Sequence, residues 1–154
     1  FGNCGYAYPT ALGAKVGRPD RPDIAYVGDG AWGMSLTEVM TAVREKIPVV
    51  AVVFDNGQWG AEKRNQIDYF DSRFLGTELD NPNFAEVARA MGAQGLTVEH
   101  EDQVGDALLA AVASNQPTVI NLRLTQALGD PFRRDAFKPP RRLLAKYAAY
   151  SARD

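Results

Sequence analysis

The chain has 154 residues, of which 45% are hydrophobic and 23% are charged, and these values are typical of one globular domain. The formal net charge of -2 argues against a nucleic acid or an anionic membrane as a partner. Its single cysteine excludes an intrachain disulfide and favours a reducing compartment, so we expect a cytoplasmic protein. No apolar run approaches the roughly 20 residues that span a bilayer, and no signal peptide is recognisable.

The first half of the chain alternates short apolar runs with helical periods. This alternation predicts an α/β fold with a doubly wound, mainly parallel sheet and helices on both faces. The run Pro48–Phe54 is β-branched and apolar on both faces, as expected of a central parallel strand. In chain order we predict a helix over 9–16, a strand over 23–27, an amphipathic helix carrying Leu36, Val39, Met40, Val43 and Ile47, the strand 48–54 and a loop over 55–60.

The second half continues the same alternation. Asn83 and Glu86 resemble a capping box that opens a helix. Further along we predict a strand over 96–99, a helix through 104–112 with an acidic first turn, and a last strand over 118–124. The segment 129–154 is a basic tail with a predicted helix near its end. Because the chain opens at Phe1 and not at Met, we expect 1–154 to be a C-terminal piece of a longer polypeptide.

Two consecutive predicted strands end in polar loops that carry Asp29 and Asn56. Adjacent parallel strands would place both loops at the carboxyl edge of the sheet, where open α/β sheets bind ligands. Carboxylate and amide oxygens suit Mg²⁺, which is often shared with substrate phosphates. The alternatives are structural: Asp29 can be a helix cap, and Asn56-Gly57 can be a hairpin or left-handed turn.

The glycines around Asp29 add a second feature. Gly28 and Gly30 allow close approach of the backbone to a ligand. Ala31 and Trp32 precede a predicted helix, so that free N–H groups can point at a diphosphate.

Together, Gly28-Asp29-Gly30, the helix, the apolar strand and Asp55-Asn56 resemble the signature of thiamine-diphosphate-dependent enzymes. The resemblance implies that the side chains of Asp29 and Asn56 and the backbone carbonyl of Gln58 bind Mg²⁺. It also implies that the N–H groups of Gly30 and Ala31 hold the diphosphate, close to Gly28. The chain departs from the family at Asp55, where many members have Asn, and at Ala31, where many have Ser.

The opening segment, residues 2–9, also resembles this family. The resemblance implies that the Gly2 carbonyl accepts a hydrogen bond from the aminopyrimidine of the cofactor and that Cys4 lies under the bent cofactor. Cys4 can equally be a small hydrophobic residue buried in the core. In the family a glutamate from an upstream pyrimidine-binding domain activates the cofactor, and the site lies between two subunits. We therefore assign no catalytic residue to this chain, expect the fragment alone to be inactive, and expect a homodimer or homotetramer.

Longer runs, residues 31–66 and 128–137, resemble the sulfoacetaldehyde acetyltransferase family. That family converts sulfoacetaldehyde and phosphate to acetyl phosphate and sulfite, within sulfonate metabolism. Because both substrates are anions, Lys63, Arg133 and Arg134 are candidate substrate residues. Trp59 is a further candidate, because we expect the loop after Asn56 to run over the reactive face of the cofactor. The cations can instead be a solvated surface, as we expect for His100.

Two other functions stay open. One is an acetolactate synthase-like or other thiamine-diphosphate carboligase or decarboxylase. The other, from a different class, is a flavodoxin-like binding domain without catalytic activity.

Overall fold

A computed structural model describes residues 3–128. Their elements are α1 (Ala7–Gly17), β1 (Asp23–Gly28), α2 (Asp29–Gly33), α3 (Glu38–Glu45), β2 (Val49–Asp55), α4 (Gly60–Tyr69), α5 (Phe84–Ala90), β3 (Gln94–Val98), a 3₁₀ turn (Glu101–Gln103), α6 (Val104–Ser114) and β4 (Thr118–Arg123). The four strands form one parallel sheet in the order β1-β2-β4-β3. The predicted α/β fold with a parallel sheet is confirmed.

The apolar sequence of β2 suits its position in the centre of the sheet. The strand is hydrogen-bonded on both sides, to β1 and β4, and six of its seven residues are buried. A strand with helices on both faces needs apolar side chains in both directions. The apolar run Val49–Phe54 meets this need and makes β2 the strand around which the sheet is built.

Alternate residues of the strands face two separate cores. Ala25, Val49, Val53 and Val119 belong to the core that also contains residues of α1, α3 and α5. On the opposite face, Val50, Val52, Ile120 and Leu122 pack with residues of α6. The predicted helices on both faces are therefore confirmed.

Three predicted boundaries are wrong. The amphipathic helix spans only Glu38–Glu45; Lys46 takes a left-handed conformation (φ 54°) and ends it before Pro48, and Met40 is exposed. A short helix begins directly at Asp29, where a loop was predicted. The predicted loop 55–60 is shorter, because β2 runs through Asp55 and α4 begins at Gly60.

The remaining elements follow the prediction more closely. The side chain of Asn83 caps α5, accepting from the N–H groups of Ala85 (2.9 Å) and Glu86 (3.4 Å). The strands predicted over 96–99 and 118–124 and the helix through 104–112 are present as β3, β4 and α6. His100 is exposed, as predicted. The basic tail 129–154 lies outside the described residues. Within residues 3–128 no helix combines the length and apolar character needed to cross a membrane.

Close packing of α5 on β3 gives a first prediction. A Cβ atom at Gly95 would lie 2.0 Å from the backbone oxygen of Ala85, so this contact requires glycine. We expect Gly95→Ala to lower the free energy of unfolding by about 1–3 kcal/mol, because the backbone of α5 must move. Gly13→Ala, in the exposed middle of α1 with open space around it, should instead raise it by about 0.5–1 kcal/mol. Urea unfolding of both variants measures the difference; wild-type stability of Gly95→Ala would contradict the close contact.

Candidate active site

The register of β1 and β2 brings two polar loops to one edge of the sheet. Gly28 at the end of β1 is the partner of Phe54 near the end of β2. The next residues, Asp29 and Asp55, are both buried, each with 3% of its surface exposed. As predicted, the residues that follow the two strands meet at the carboxyl edge.

The carboxylate of Asp29 joins the two loops. Its Oδ1 accepts from the N–H of Gly30 at 2.9 Å, and its Oδ2 accepts from the N–H of Gly57 at 2.7 Å. A third donor, the side-chain amide of Asn81, reaches Oδ2 at 2.8 Å. Asp29 is thus held by its own helix, by the loop after β2 and by the segment before α5.

An aromatic pair fixes the helix that carries Asp29. Trp32 of α2 is buried and meets the ring of Tyr8 of α1 edge-on, with centroids 5.2 Å apart and planes at 73°. Such a T-shaped contact stabilises the fold beyond what the burial of both rings contributes. It anchors α2 against the core, so that Asp29 at its start has a defined position.

The second loop turns sharply after Asn56. Gly57 has φ 67°, a conformation that favours glycine, and Asn56 Oδ1 accepts from the N–H of Gln58 at 3.3 Å. The left-handed turn considered for Asn56-Gly57 is therefore present. Because the Gly57 N–H also donates to Asp29 Oδ2, the turn brings the loop that carries Asn56 to the Asp29 carboxylate.

Gln58 is almost completely buried, with 2% of its surface exposed. Its side-chain amide donates to the carbonyl of Gln126 at 2.9 Å. The backbone around it pairs with residues 77–79: Trp59 N–H donates to Thr77 O, and Leu79 N–H donates to Gly57 O, both at 2.8 Å. These two bonds do not use the Gln58 carbonyl, which was predicted to bind the metal.

Asp55 carries a hydrogen-bond network that the sequence analysis missed. It accepts from the side-chain amides of Asn81 (2.9 Å) and Asn121 (3.2 Å) and from the guanidinium of Arg123 (2.9 Å). Burial raises the pKa of Asp55, but the hydrogen bonds from Asn81, Arg123 and Asn121 outweigh it and hold this pKa below its ordinary range. A signal was available: Asn121 interrupts an apolar strand, and a buried amide needs a partner.

Trp59 lies directly over Gly30. A Cβ atom at Gly30 would come within 2.7 Å of the Trp59 indole ring. The candidate substrate residue Trp59 and the candidate diphosphate-binding residue Gly30 are therefore in contact. Glycine at position 30 makes room for this ring.

Lys63 lies on α4 and points toward the same loop. Its ammonium group donates to Gln58 Oε1 at 3.0 Å, forms an ion pair with Glu78, and lies 5.5 Å from the centre of the Phe74 ring. In this arrangement Lys63 ties α4 to the loop after β2. Its role in binding an anionic substrate stays a prediction.

The remaining candidates are further from this network or outside the described residues. Cys4 is partly buried, in a turn whose Gly5 packs against Met34. Its position beneath a cofactor stays a prediction. Gly2, Arg133 and Arg134 lie outside residues 3–128.

The residues at this edge fit a magnesium ion. Asp29 would supply one carboxylate, Asn56 an amide oxygen, and Gln58 a backbone carbonyl that the neighbouring pairing does not use. Residues 3–128 contain no cluster of three His, Cys, Asp or Glu side chains arranged for a metal. A site with one carboxylate suits Mg²⁺, which keeps water or phosphate oxygens among its ligands.

Comparison with known proteins decides the family. The family described as "Thiamine pyrophosphate enzyme, C-terminal TPP binding domain" matches residues 1–122. The chain belongs to this family. It is a thiamine diphosphate-binding domain, as the Gly-Asp-Gly and Asp-Asn motifs predicted.

Curated relatives of this thiamine diphosphate-binding domain are considerably longer. The sulfoacetaldehyde acetyltransferase of Alcaligenes xylosoxydans xylosoxydans is 56% identical over 97% of this chain and 26% of its own length. An acetolactate synthase of Mycobacterium avium is 36% identical over 77% of this chain and 20% of its own length. The chain spans about a quarter of the length of the acetyltransferase, which therefore contains much more than this domain.

A solved structure agrees with the fold of the thiamine diphosphate-binding domain. The thiamine diphosphate-dependent 4-hydroxybenzoylformate decarboxylase of Rhodococcus jostii RHA1 superposes with a TM-score of 0.77 at 29% identity. The match covers 83% of this chain and 24% of the decarboxylase.

The contact between Gly30 and Trp59 gives a second prediction. We expect Gly30→Ala to displace the Trp59 ring, because the flexible side chain can move more easily than the backbone of α2. Gly28→Ala is the matched control, since Gly28 has φ -71° and no neighbouring atom within 4 Å of an added Cβ. Acrylamide quenching of tryptophan fluorescence should increase in Gly30→Ala and not in Gly28→Ala. Equal quenching in wild type and Gly30→Ala would contradict the contact, since Trp32 is buried in both.

Proposed function

We propose that this domain holds Mg²⁺ through the side chains of Asp29 and Asn56 and the backbone carbonyl of Gln58. The observation that carries this proposal is the 2.7 Å hydrogen bond from Gly57 N–H to Asp29 Oδ2. It joins the loops after two adjacent strands, so oxygens from both can converge on one cation. Family membership supports the proposal, because a metal bound here can bridge the protein and a diphosphate.

The diphosphate of the cofactor binds, in this proposal, at the start of α2. The N–H groups in the first turn of a helix have no partner inside the helix and attract anions. Ala31 N–H has this position, and Gly30 N–H shares it while bonded to Asp29 Oδ1. Gly28 leaves open space beside the backbone.

When bound, the cofactor would supply a carbanion, which attacks carbonyl groups. It would also act as an electron sink. This chain anchors and orients it: the metal ligands fix the diphosphate end, and Gly2 and Cys4 are proposed to contact the rest. Fixing the geometry removes an entropic barrier to reaction. We assign proton transfer at the aminopyrimidine to a glutamate of an upstream pyrimidine-binding domain, so no catalytic residue is proposed in this chain.

For the whole protein we propose the reaction of a sulfoacetaldehyde acetyltransferase, from sulfoacetaldehyde and phosphate to acetyl phosphate and sulfite. The 56% identity to a relative of that name supports this choice. The alternative is an acetolactate synthase-like or other thiamine diphosphate carboligase or decarboxylase, which the 36% identity to the Mycobacterium avium protein supports less strongly.

We further propose that the protein is a cytoplasmic homodimer or homotetramer in which a second subunit contributes the pyrimidine-binding domain. The single cysteine is consistent with a reducing compartment.

The metal assignment gives a third prediction. In the full-length protein, Asp29→Asn and Asn56→Ala should each weaken magnesium-dependent binding of thiamine diphosphate by about tenfold or more, by analogy with perturbed metal sites. Asp20→Asn removes the same charge from an exposed carboxylate paired with Arg18 before β1 and should leave binding unchanged. Titration calorimetry at fixed Mg²⁺ measures all three. Wild-type affinity in both site variants would remove the basis for the assignment.

The reaction is tested by substrate choice. We expect the full-length enzyme to form acetyl phosphate from sulfoacetaldehyde only when phosphate is present, and to turn over pyruvate much more slowly. A preference for pyruvate would favour the alternative. A protein that binds no thiamine diphosphate, with or without Mg²⁺, would match the third possibility, a binding domain without catalytic activity.

A fourth prediction concerns the anionic substrates, which need cationic partners in a cleft partly closed from water. At least one of Lys63→Ala, Arg133→Ala and Arg134→Ala should raise the Michaelis constant for sulfoacetaldehyde or phosphate and keep cofactor affinity. A charge-assisted hydrogen bond contributes about 1.5–3 kcal/mol, so the constant should rise about tenfold or more. Arg44→Ala, at an exposed ion pair with Glu45, is the control. If all three variants keep wild-type constants for both anions, these cations do not bind substrate.

A further inference from the structure

One asparagine connects the two buried carboxylates at the carboxyl edge of the sheet. The side-chain amide of Asn81 donates to Asp29 Oδ2 at 2.8 Å and to Asp55 Oδ1 at 2.9 Å. An amide NH₂ group has two hydrogens, so both are used here. Asp29 directly follows β1, Asp55 is the last residue of β2, and Asn81 itself belongs to the segment between α4 and α5.

The donors around Asp29 determine where a cation can bind it. A carboxylate offers about four lone-pair positions on its two oxygens. Asn81 and Gly57 N–H occupy Oδ2, and Gly30 N–H occupies one position on Oδ1. The position left open is therefore on Oδ1, which makes Asp29 a ligand through one oxygen with a fixed orientation.

The position of Asn81 is itself fixed from two sides. Leu79, two residues earlier, donates its N–H to Gly57 O at 2.8 Å, which ties this segment to the loop of Asn56. On the other side, Asp55 is held by Asn121 and Arg123. The amide of Asn81 therefore has a rigid acceptor on Asp55 and presents its second hydrogen to Asp29.

The same network explains why an aspartate suits position 55. Asp55 accepts from three groups, the amides of Asn81 and Asn121 and the guanidinium of Arg123. An ionised carboxylate only accepts hydrogen bonds, whereas an asparagine would present its own NH₂ group to one of these donors. Asp55 thus accepts from all three donors as they are oriented here.

We propose that Asn81 is a positioning residue of the magnesium site: by bridging Asp29 and Asp55 it sets which oxygen of Asp29 faces the metal. This inference rests on the proposed function, in which Asp29 binds Mg²⁺. Partners that orient a metal ligand typically change affinity by about 10–100-fold when they are removed. The expected signature is a weaker metal site in a protein that still folds.

The experiment compares asparagines from one segment of the full-length protein. Asn81→Ala removes the bridge, Asn81→Leu removes it while preserving most of the volume, and Asn81→Ser keeps one donor. Asn83→Ala is the matched control, because the Asn83 side chain caps α5 and donates to Thr97 instead of to Asp29 or Asp55. Mg²⁺ affinity at saturating thiamine diphosphate and the melting temperature without either ligand are measured for each variant.

We expect Asn81→Ala and Asn81→Leu to lower the Mg²⁺ affinity by about 10–100-fold, with Asn81→Ser between them and the wild type. Asn83→Ala should lower the melting temperature and keep the wild-type Mg²⁺ affinity. If Asn81→Leu keeps wild-type affinity, the side chain only fills space and the inference is wrong. The inference is also wrong if Asn83→Ala loses as much affinity, since the effect then follows the stability of the segment.

The two levels of the proposal fail differently. A wild-type protein that shows no magnesium-dependent binding of thiamine diphosphate overturns the proposed function, and the role of Asn81 with it. A wild type that binds both, with Asn81 variants that bind equally well, overturns the role of Asn81 alone.

Discussion

The carboxyl edge of this domain depends on the Asp29 carboxylate, which accepts hydrogen bonds from three separate parts of the chain. Gly30 belongs to its own helix, Gly57 to the loop after the neighbouring strand, and Asn81 to a segment more than fifty residues away in sequence. A buried carboxylate is costly unless such donors satisfy it. Asp29 therefore organises the edge even before any ligand binds.

The parallel sheet makes this convergence possible. Pairing of Gly28 with Phe54 aligns the ends of β1 and β2, and pairing of Asp55 with Arg123 extends the alignment to β4. A one-residue slip would exchange the β2 residues that face the two cores, so the packing of these two cores holds the register. The core thus determines which polar residues meet at the edge.

The sequence predicts the parts of this arrangement that are local. The apolar run of β2 and the turn at Asn56-Gly57 were predicted because periodicity and turn residues act over a few positions. Helix α4 was missed, since no residue on it is buried and it lacks an apolar face. The bridge from Asn81 was missed because Asn81 is 52 residues from Asp29 and 26 residues from Asp55 in the sequence, and no local pattern encodes such a pairing.

The network around Asp55 also limits how this edge can evolve. Asp55, Asn81, Asn121 and Arg123 share acceptors and donors, so the effect of changing one depends on which residues occupy the others. An asparagine at position 55, for instance, would require one of the three neighbouring donors to turn away or to present an acceptor instead. Substitutions at these four positions should therefore be epistatic, so that the same change can have different effects in lineages that differ at the neighbouring positions.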